Sequence, residues 1–182
     1  MRKKVILIPG NGGGTVNDHW FPYVRNELRR MGVEVISENF PDPMLARAEY
    51  WLPHLNSLKA DPDTILVGHS SGAVAAMRYA ETNRVWGSIL VAANYTHMDD
   101  YHEKISGYYD RDWDWNSIKN NQQWIAQFSS LDDPYIPIEE PRHISTQLGS
   151  DYYEYDNHGH FGEDIFKTEF PEIITIIKNK LS

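Results

Sequence analysis

Two kinds of apolar pattern alternate along this chain from one end to the other, and the alternation leaves few folds open. Short runs of apolar and β-branched residues, typical of buried strands, are separated by longer segments in which apolar residues recur at helical spacing. The predicted strands are residues 5–9, 33–40, 64–67, 88–93, 124–129 and 151–155, and the last predicted helix is 171–181. Strands that alternate with helices predict a six-stranded, mostly parallel sheet with helices on both faces, which is a three-layer α/β fold.

The chain has 182 residues, the size of one domain, and neither a repeat nor a linker divides it. Residues 94–120 differ from the rest because they are polar and rich in tyrosine and tryptophan. We expect a single domain, 1–182, in which 94–120 form a small cap-like insertion over the top of the sheet. Two interpretations of the aromatic side chains are open: an apolar pocket for a substrate group, or packing that shields the sheet. These side chains are Tyr95, Tyr101, Tyr108, Tyr109, Trp113 and Trp115.

Composition excludes several classes of protein. The net charge of −9 argues against a nucleic-acid partner, because phosphate binding needs clustered lysine and arginine. The absence of cysteine excludes a disulfide scaffold, a thiolate zinc site and a cysteine nucleophile. The first apolar run ends at Pro9-Gly10, which is too early for a signal peptide or a membrane span. We expect a soluble, cytoplasmic protein without a membrane segment.

The third predicted strand ends in Gly68-His-Ser-Ser-Gly72, a Gly-x-Ser-x-Gly motif. In such a motif the serine lies on a tight turn between a strand and a helix, and the glycines avoid collisions with both neighbours. An apolar strand precedes the motif and a small-residue helix from Ala73 follows it, so the context matches. The motif predicts Ser70 as the nucleophile of an α/β-hydrolase-like core. The competing hydroxyl, Ser71, is offset by one residue and begins the helix, and we assign His69 a packing role.

A nucleophilic serine of this kind requires an acid and then a histidine, in that order, in loops after later strands. Asp132 and Asp133 follow the fifth predicted strand, and we favour Asp133 because Pro134 stiffens its loop. His158 and His160 follow the sixth, and we favour His160 because it lies deeper in the loop, after a glycine. The two histidines lack a third ligand at a recognisable spacing, so we predict neither a metal ion nor another cofactor.

Acyl transfer builds negative charge on the substrate carbonyl oxygen, and two N–H donors usually stabilise it. One donor is expected from the residue after the nucleophile, Ser71, and the other from the loop after an early strand. The glycine-rich loop Gly10–Gly14 follows the first predicted strand, and we predict the Asn11 N–H as the second donor. A phosphate-binding loop would need Gly-Lys-Ser/Thr here, and a dinucleotide fingerprint would need glycine in place of Thr15, so both nucleotide interpretations fail.

Over nearly its whole length the sequence resembles a known family, the small serine hydrolases typified by retinoblastoma-binding protein nine. The motifs that carry the resemblance are Pro9-Gly-Asn-Gly-Gly-Gly14, Pro41-Asp-Pro43, Trp51-Leu-Pro53, Gly68-His-Ser-Ser-Gly-Ala73, Ala76-Met-Arg-Tyr-Ala-Glu81, Ser106-Gly-Tyr108, Asp132-Asp-Pro134 and Gly159-His-Phe161. Together these motifs are far more specific than the serine motif alone.

The resemblance implies a compact α/β-hydrolase core without the extra antiparallel edge strands of the full fold. It also implies a catalytic triad at Ser70, Asp133 and His160 and the hydrolysis of small esters or amides. The family's Leu-x-Cys-x-Glu segment, which binds the retinoblastoma pocket, corresponds here to Leu58-Lys-Ala-Asp-Pro62. That stretch has neither the cysteine nor the glutamate, so we do not expect this partner.

These residues predict a two-step mechanism. Ser70 attacks an ester or amide carbonyl with His160 as the base, and His160 then protonates the leaving group and activates water to release the acid. Two alternatives are open: a non-catalytic protein-interaction module on a hydrolase scaffold, and acyl transfer to an acceptor other than water.

Overall fold

The structure, a computed structural model, describes residues 3–162 and 164–182 of the chain. Within them, six strands form one sheet in the order β2-β1-β3-β4-β5-β6. The strands are β1 (Lys4–Ile8), β2 (Glu34–Ile36), β3 (Thr64–His69), β4 (Gly87–Val91), β5 (Trp124–Ser130) and β6 (Asp151–Tyr155). Every neighbouring pair runs parallel, so the predicted six-stranded sheet is confirmed and is parallel throughout.

Helices connect the strands and cover both faces of the sheet. In the described part of the chain they are α1 (Phe21–Arg30), α2 (Ala48–Ser57), α3 (Ser71–Ala80), α4 (Tyr101–Ile105), α5 (Trp115–Asn120), α6 (Glu139–Leu148) and α7 (Pro171–Leu181). None of the helices described is long and apolar enough to cross a membrane.

Alternate side chains of β1 serve opposite faces of the sheet, as the period of a strand requires. Val5 and Leu7 pack with the apolar sides of α1 and α7. Ile6 and Ile8 pack with α2, α3 and α6 on the other face. All four side chains are fully buried. A strand that is apolar on both sides is what a parallel sheet between two helical layers needs, so the predicted three-layer architecture is confirmed.

The second strand is shorter than the sequence predicts, because residues 37–40 leave the sheet. β2 pairs with β1 through three residues only. Beyond them, the Ser37 hydroxyl accepts a hydrogen bond from Arg25, and the Asn39 side chain accepts one from the Val16 N–H. Phe40 turns away from the sheet and packs against Trp51, with ring centroids 4.9 Å apart. These side-chain contacts compete with the edge of the sheet and end the strand early.

Residues 94–120 are joined to the core by a buried arginine. The guanidinium of Arg78, in α3, donates to the carbonyl oxygens of Tyr108, Arg111 and Asp112 at 2.7–3.1 Å. It also pairs with Glu81 at 2.6 Å, and both side chains are only 2% exposed. Three carbonyls on one guanidinium fix the path of this segment across the top of α3, since each buried hydrogen bond to a charged donor is costly to lose.

Candidate active site

The carboxyl ends of β1 and β3 lie side by side where the chain reverses direction across the sheet, because β2 adds on one side of β1 and β3 on the other. Open parallel sheets bind ligands in the crevice at such a point. A cavity of about 470 Å³ lies there, and its lining includes Asn11, Ser70 and His160. The loops after β1, β3 and β6 therefore bring three of the predicted site residues to one cavity.

Ser70 lies on the tight turn that the motif predicts. Its backbone has φ 54° and ψ −123°, a strained conformation for a residue with a side chain, and its N–H donates to the Val91 carbonyl at 2.9 Å. A Cβ on Gly68 would collide with the backbone at the start of α3, and a Cβ on Gly72 would collide with the carbonyls of Ile8 and Pro9. The two glycines let strand and helix approach closely enough to hold the strained serine.

Asp133 and His160 are brought together across two loops. The Nδ1 atom of His160 lies 2.8 Å from Oδ2 of Asp133, whose side chain is 3% exposed. The other carboxylate oxygen accepts the N–H groups of Tyr135 and Ile136 at 2.9 and 3.0 Å. Because a carboxylate only accepts, Nδ1 of His160 carries the proton and Nε2 is left free to take one. The turn after Asp133 thus fixes its carboxylate in the orientation that serves the histidine.

Asp132, the alternative acid, contacts the backbone of the histidine loop (residues 156–162) rather than the His160 ring. Its Oδ1 accepts the Gly159 N–H at 2.8 Å and the Ser130 hydroxyl at 2.6 Å. The Ser130 oxygen in turn accepts the His158 N–H at 2.8 Å. The adjacent aspartates therefore have different tasks: one orients the ring of His160 and the other holds the loop that carries it.

His158, the alternative base, points to a different set of neighbours. Its ring packs against Tyr155 and Phe161, and the Lys167 ammonium nitrogen lies 3.4 Å from its Nδ1. Burial, and then the Lys167 charge, lower the pKa of His158. Across residues 3–162 and 164–182, no group of three or more His, Cys, Asp or Glu side chains is arranged to hold a metal ion. The ring of His158 therefore packs against the neighbouring aromatic side chains and does not orient toward Asp133.

The glycine-rich loop after β1 is held by backbone hydrogen bonds to the next turn of the chain. The N–H groups of Gly12 and Gly13 donate to the carbonyls of Met44 and Pro43 at 3.1 and 3.0 Å. The N–H groups of Asn11 and Ser71 have no acceptor within the part of the chain that the structure describes. Ser71 is the first residue of α3, where the amide lacks a helical partner and the helix dipole favours negative charge. Both amides remain candidates for an oxyanion hole.

Glu103, in α4, is a site residue that the sequence analysis missed. Its carboxylate lines the cavity and accepts the Asn11 side-chain amide at 3.1 Å and the Tyr109 hydroxyl at 2.8 Å. Burial raises its pKa above the ordinary range for a glutamate. A glutamate in a short polar helix carries no motif, so its contact with a loop 92 residues away was not visible in the sequence.

His69 departs from the packing role assigned to it. Its Nε2 lies 2.7 Å from the carbonyl oxygen of His160, and the two rings are 4.8 Å apart. Burial, and then the nearby His160, lower the pKa of His69 well below 6.5. A neutral imidazole facing a carbonyl must carry its proton on the nitrogen that faces it, so Nε2 is the donor. His69 is a buried polar side chain with a specific partner in the histidine loop.

The aromatic residues of the 94–120 segment do not line the cavity beside Ser70. The segment contributes Met98, Asp100, His102 and Glu103 to that lining instead. The tryptophans pack together, and Tyr95, Trp113 and Trp115 border a separate depression on the outside of the segment. The tyrosine and tryptophan rings of this segment therefore lie outside the cavity beside Ser70, and the ring contacts of Trp115 with Tyr95 and Trp113 favour packing. The role of 94–120 as a cap stays a prediction.

Comparisons with known proteins identify the family of this chain. The family model described as "Serine hydrolase" matches residues 5–179. The Serine hydrolase RBBP9 of Rattus norvegicus is 43% identical over 182 residues, which cover 98% of this chain and 96% of the rat protein. The crystal structure of the ydeN gene product from B. subtilis superposes with a TM-score of 0.88 at 27% identity, over 97% of each chain.

A more distant structure shares the fold alone. Est1E from Butyrivibrio proteoclasticus, solved with ferulic acid bound, has a TM-score of 0.73 at 12% identity and matches 99% of this chain and 88% of its own. The match of the family model over nearly the whole chain, together with the rat relative, decides the assignment. This chain belongs to the serine hydrolase family.

Proposed function

We propose that this serine hydrolase cleaves small carboxylic esters or amides through an acyl-enzyme intermediate formed on Ser70. His160 is the general base and acid, Asp133 orients and stabilises His160, and the N–H groups of Asn11 and Ser71 bind the oxyanion. The observation that carries the proposal is the 2.8 Å hydrogen bond between Asp133 and the Nδ1 of His160, at a cavity that a strained Ser70 also lines. Orientation of a histidine by a buried carboxylate beside a serine that lines the same cavity is the arrangement of acyl-transfer enzymes.

In the first step the Ser70 Oγ attacks the substrate carbonyl carbon while its proton passes to Nε2 of His160. The carbonyl oxygen takes the negative charge, which the two amides stabilise in place of water. His160 then gives that proton to the leaving alkoxide or amine as the carbon–oxygen or carbon–nitrogen bond breaks. Asp133 stays ionised throughout and stabilises the imidazolium that forms in each half of the reaction.

In the second step a water molecule gives a proton to His160 and attacks the acyl carbon. The tetrahedral intermediate collapses, the proton returns to the Ser70 oxygen, and the carboxylic acid leaves. The cavity of about 470 Å³ supports a small substrate, since it lies within the usual range for small-molecule sites. Its lining combines apolar side chains, such as Met98 and Ile136, with polar ones, such as Asp18 and Glu103.

The test is labelling by a fluorophosphonate probe together with hydrolysis of a short aryl ester. We expect the native protein to be labelled and active, and Ser70→Ala to lose both properties while keeping its fold. Loss of the nucleophile and of the base typically costs about a millionfold in kcat. Equal labelling of the native protein and Ser70→Ala would show that Ser70 is not the nucleophile, whereas no labelling of either protein would favour a non-catalytic module.

The matched control is Ser88→Ala. Ser88 lies in β4 and is buried, and its hydroxyl has no hydrogen-bond partner in the described structure, so its removal is expected to leave labelling and activity unchanged. Product analysis with added amines separates hydrolysis from transfer to another acceptor. Free acid as the main product supports hydrolysis, whereas amide as the main product would place the enzyme among acyltransferases.

A further inference from the structure

The histidine next to the proposed nucleophile is bound to the histidine that is the proposed base. His69 precedes Ser70 in the chain, and its Nε2 donates to the backbone carbonyl of His160 at 2.7 Å. Asp164 accepts the N–H of the same residue at 2.9 Å. Both backbone polar groups of His160 are therefore held by side chains, while its ring is held separately by Asp133.

The surroundings of His69 favour one orientation of its ring and one protonation state. The ring is buried at the end of β3, and its centroid lies 6.3 and 6.1 Å from the centroids of the His19 and Trp20 rings, which it meets edge to face. Gly10 lies against its other nitrogen, where a Cβ would be 3.6 Å from Nδ1. The titratable groups that face it are His160 and His19, and burial lowers the pKa of His69 well below 6.5. It is thus neutral at physiological pH, with its single proton directed at the carbonyl of His160.

This contact connects two loops that no backbone hydrogen bond in the described structure joins directly. Ser70 is covalently attached to His69, so this short hydrogen bond connects the nucleophile's segment directly to the base's segment. Proton transfer depends steeply on that distance, and a misplacement of about 1 Å costs on the order of a hundredfold in rate. A packing residue would not need a polar atom at this point, because a leucine fills a similar volume.

From these contacts we infer that His69 is a positioning residue, which sets the placement of His160 relative to Ser70 through its hydrogen bond to the His160 carbonyl. The expected effect of His69 on kcat rests on the proposed function. The expected effect on the placement of the His160 ring does not, because that placement can be measured without substrate.

The test compares His69→Leu, which removes the donor at similar volume, with His69→Gln, whose side-chain N–H reaches about the same point as Nε2. We expect His69→Leu to lower kcat on an aryl ester by about 10- to 100-fold, with KM changed by less than about threefold. His69→Gln is expected to recover most of kcat. In proton NMR spectra, the downfield resonance of the His160–Asp133 hydrogen bond should stay sharp in the native protein and in His69→Gln, and broaden by exchange in His69→Leu.

The matched control is Trp113→Phe, which also removes a ring N–H donated to a backbone carbonyl, that of Tyr95 at 2.8 Å, but within the 94–120 segment and not to the histidine loop. It is expected to lose stability while keeping kcat and the downfield resonance. A folded His69→Leu with native kcat and a native resonance would overturn the inference. If His69→Leu does not fold, the decision falls to His69→Gln, and a folded His69→Gln as inactive as Ser70→Ala would also overturn it.

Failure of the proposed function would look different. In that case Ser70→Ala would keep its activity, while the NMR comparison of the His69 variants would still report whether the His160 ring moves.

Discussion

Ser70 and His160 are carried by two loops that are held by different means. The serine turn is held by close contact between backbones, where Gly68 and Gly72 let β3, α3 and β1 approach one another. The histidine loop is held by side chains, most of which reach it from distant parts of the chain. The distant side chains are Trp20, His69, Asp132 and Asp133, and Asp164 adds a contact from just after the loop. The difference teaches that the nucleophile depends on packing and the base on polar contacts.

The same difference predicts how each loop fails. A larger side chain in the serine turn should damage the fold, because backbone atoms cannot move aside without shifting the sheet. Loss of a polar contact in the histidine loop should keep the fold intact and lower kcat. A small displacement of His160 matters little to stability but much to proton transfer.

After Ser70→Ala, the largest effect is expected from Asp133→Asn. This variant keeps the shape of the side chain, but its amide can donate to Nδ1 of His160 and select the wrong tautomer, so kcat should fall by about 1,000- to 10,000-fold. The thermal midpoint should change little. Asp132→Asn is the matched control, because its remaining carbonyl oxygen can still accept the Gly159 N–H, and we expect its kcat to stay within about tenfold of native. The reverse order of the two variants would identify Asp132 as the acid.

A smaller effect, on stability rather than on rate, is expected from Gly72→Ala. The new methyl group would meet the carbonyls of β1, so the free energy of unfolding should fall by about 3 kcal/mol or more, measured by urea titration. Gly32→Ala is the control, since Gly32 has φ 78° but no atom within 4 Å of an added Cβ. The backbone strain alone should cost it about 1–2 kcal/mol. Equal losses in the two variants would show that close packing does not distinguish the serine turn.

The comparison also explains which parts were predictable from sequence. The serine turn was predictable, because the glycines that it requires, Gly68 and Gly72, lie within a few residues of Ser70 and form a recognisable sequence motif with it. The central strands β1, β3, β4 and β5 were also predictable, because an apolar run buried on both faces has a composition of its own. β2 was predicted too long, since the contacts that end it come from Arg25 and Val16, on another element.

The anchors of the histidine loop were only partly predictable. Asp133 and His160 were found because their order after the serine is a rule of the chemistry and of the sheet. Three other contacts were not predicted, because each joins residues from distant parts of the chain. They are the contact of Asp132 with the histidine loop, that of His69 with His160, and that of Glu103 with Asn11.

The smallest effect is the loss of stability at low pH, and it arises at His69, where the serine turn contacts the histidine loop. The pKa of His69 is lowered well below 6.5 by burial, so between that lowered value and 6.5 the unfolded chain binds a proton that the folded chain does not. The contribution of His69 to the free energy of unfolding is therefore fully present above pH 6.5. It declines as the pH falls below 6.5, by at most about 1.4 kcal/mol per pH unit. His158, whose pKa is also lowered, adds to the decline in the same direction. In His69→Gln the first contribution is absent while the hydrogen bond is kept, so urea titrations at successive pH values should show a shallower decline than in the native protein. If the stability of the native protein and of His69→Gln declined in parallel with pH, His69 would take up a proton as readily in the folded protein as in the unfolded chain. The contact between the serine turn and the histidine loop would then be open to water.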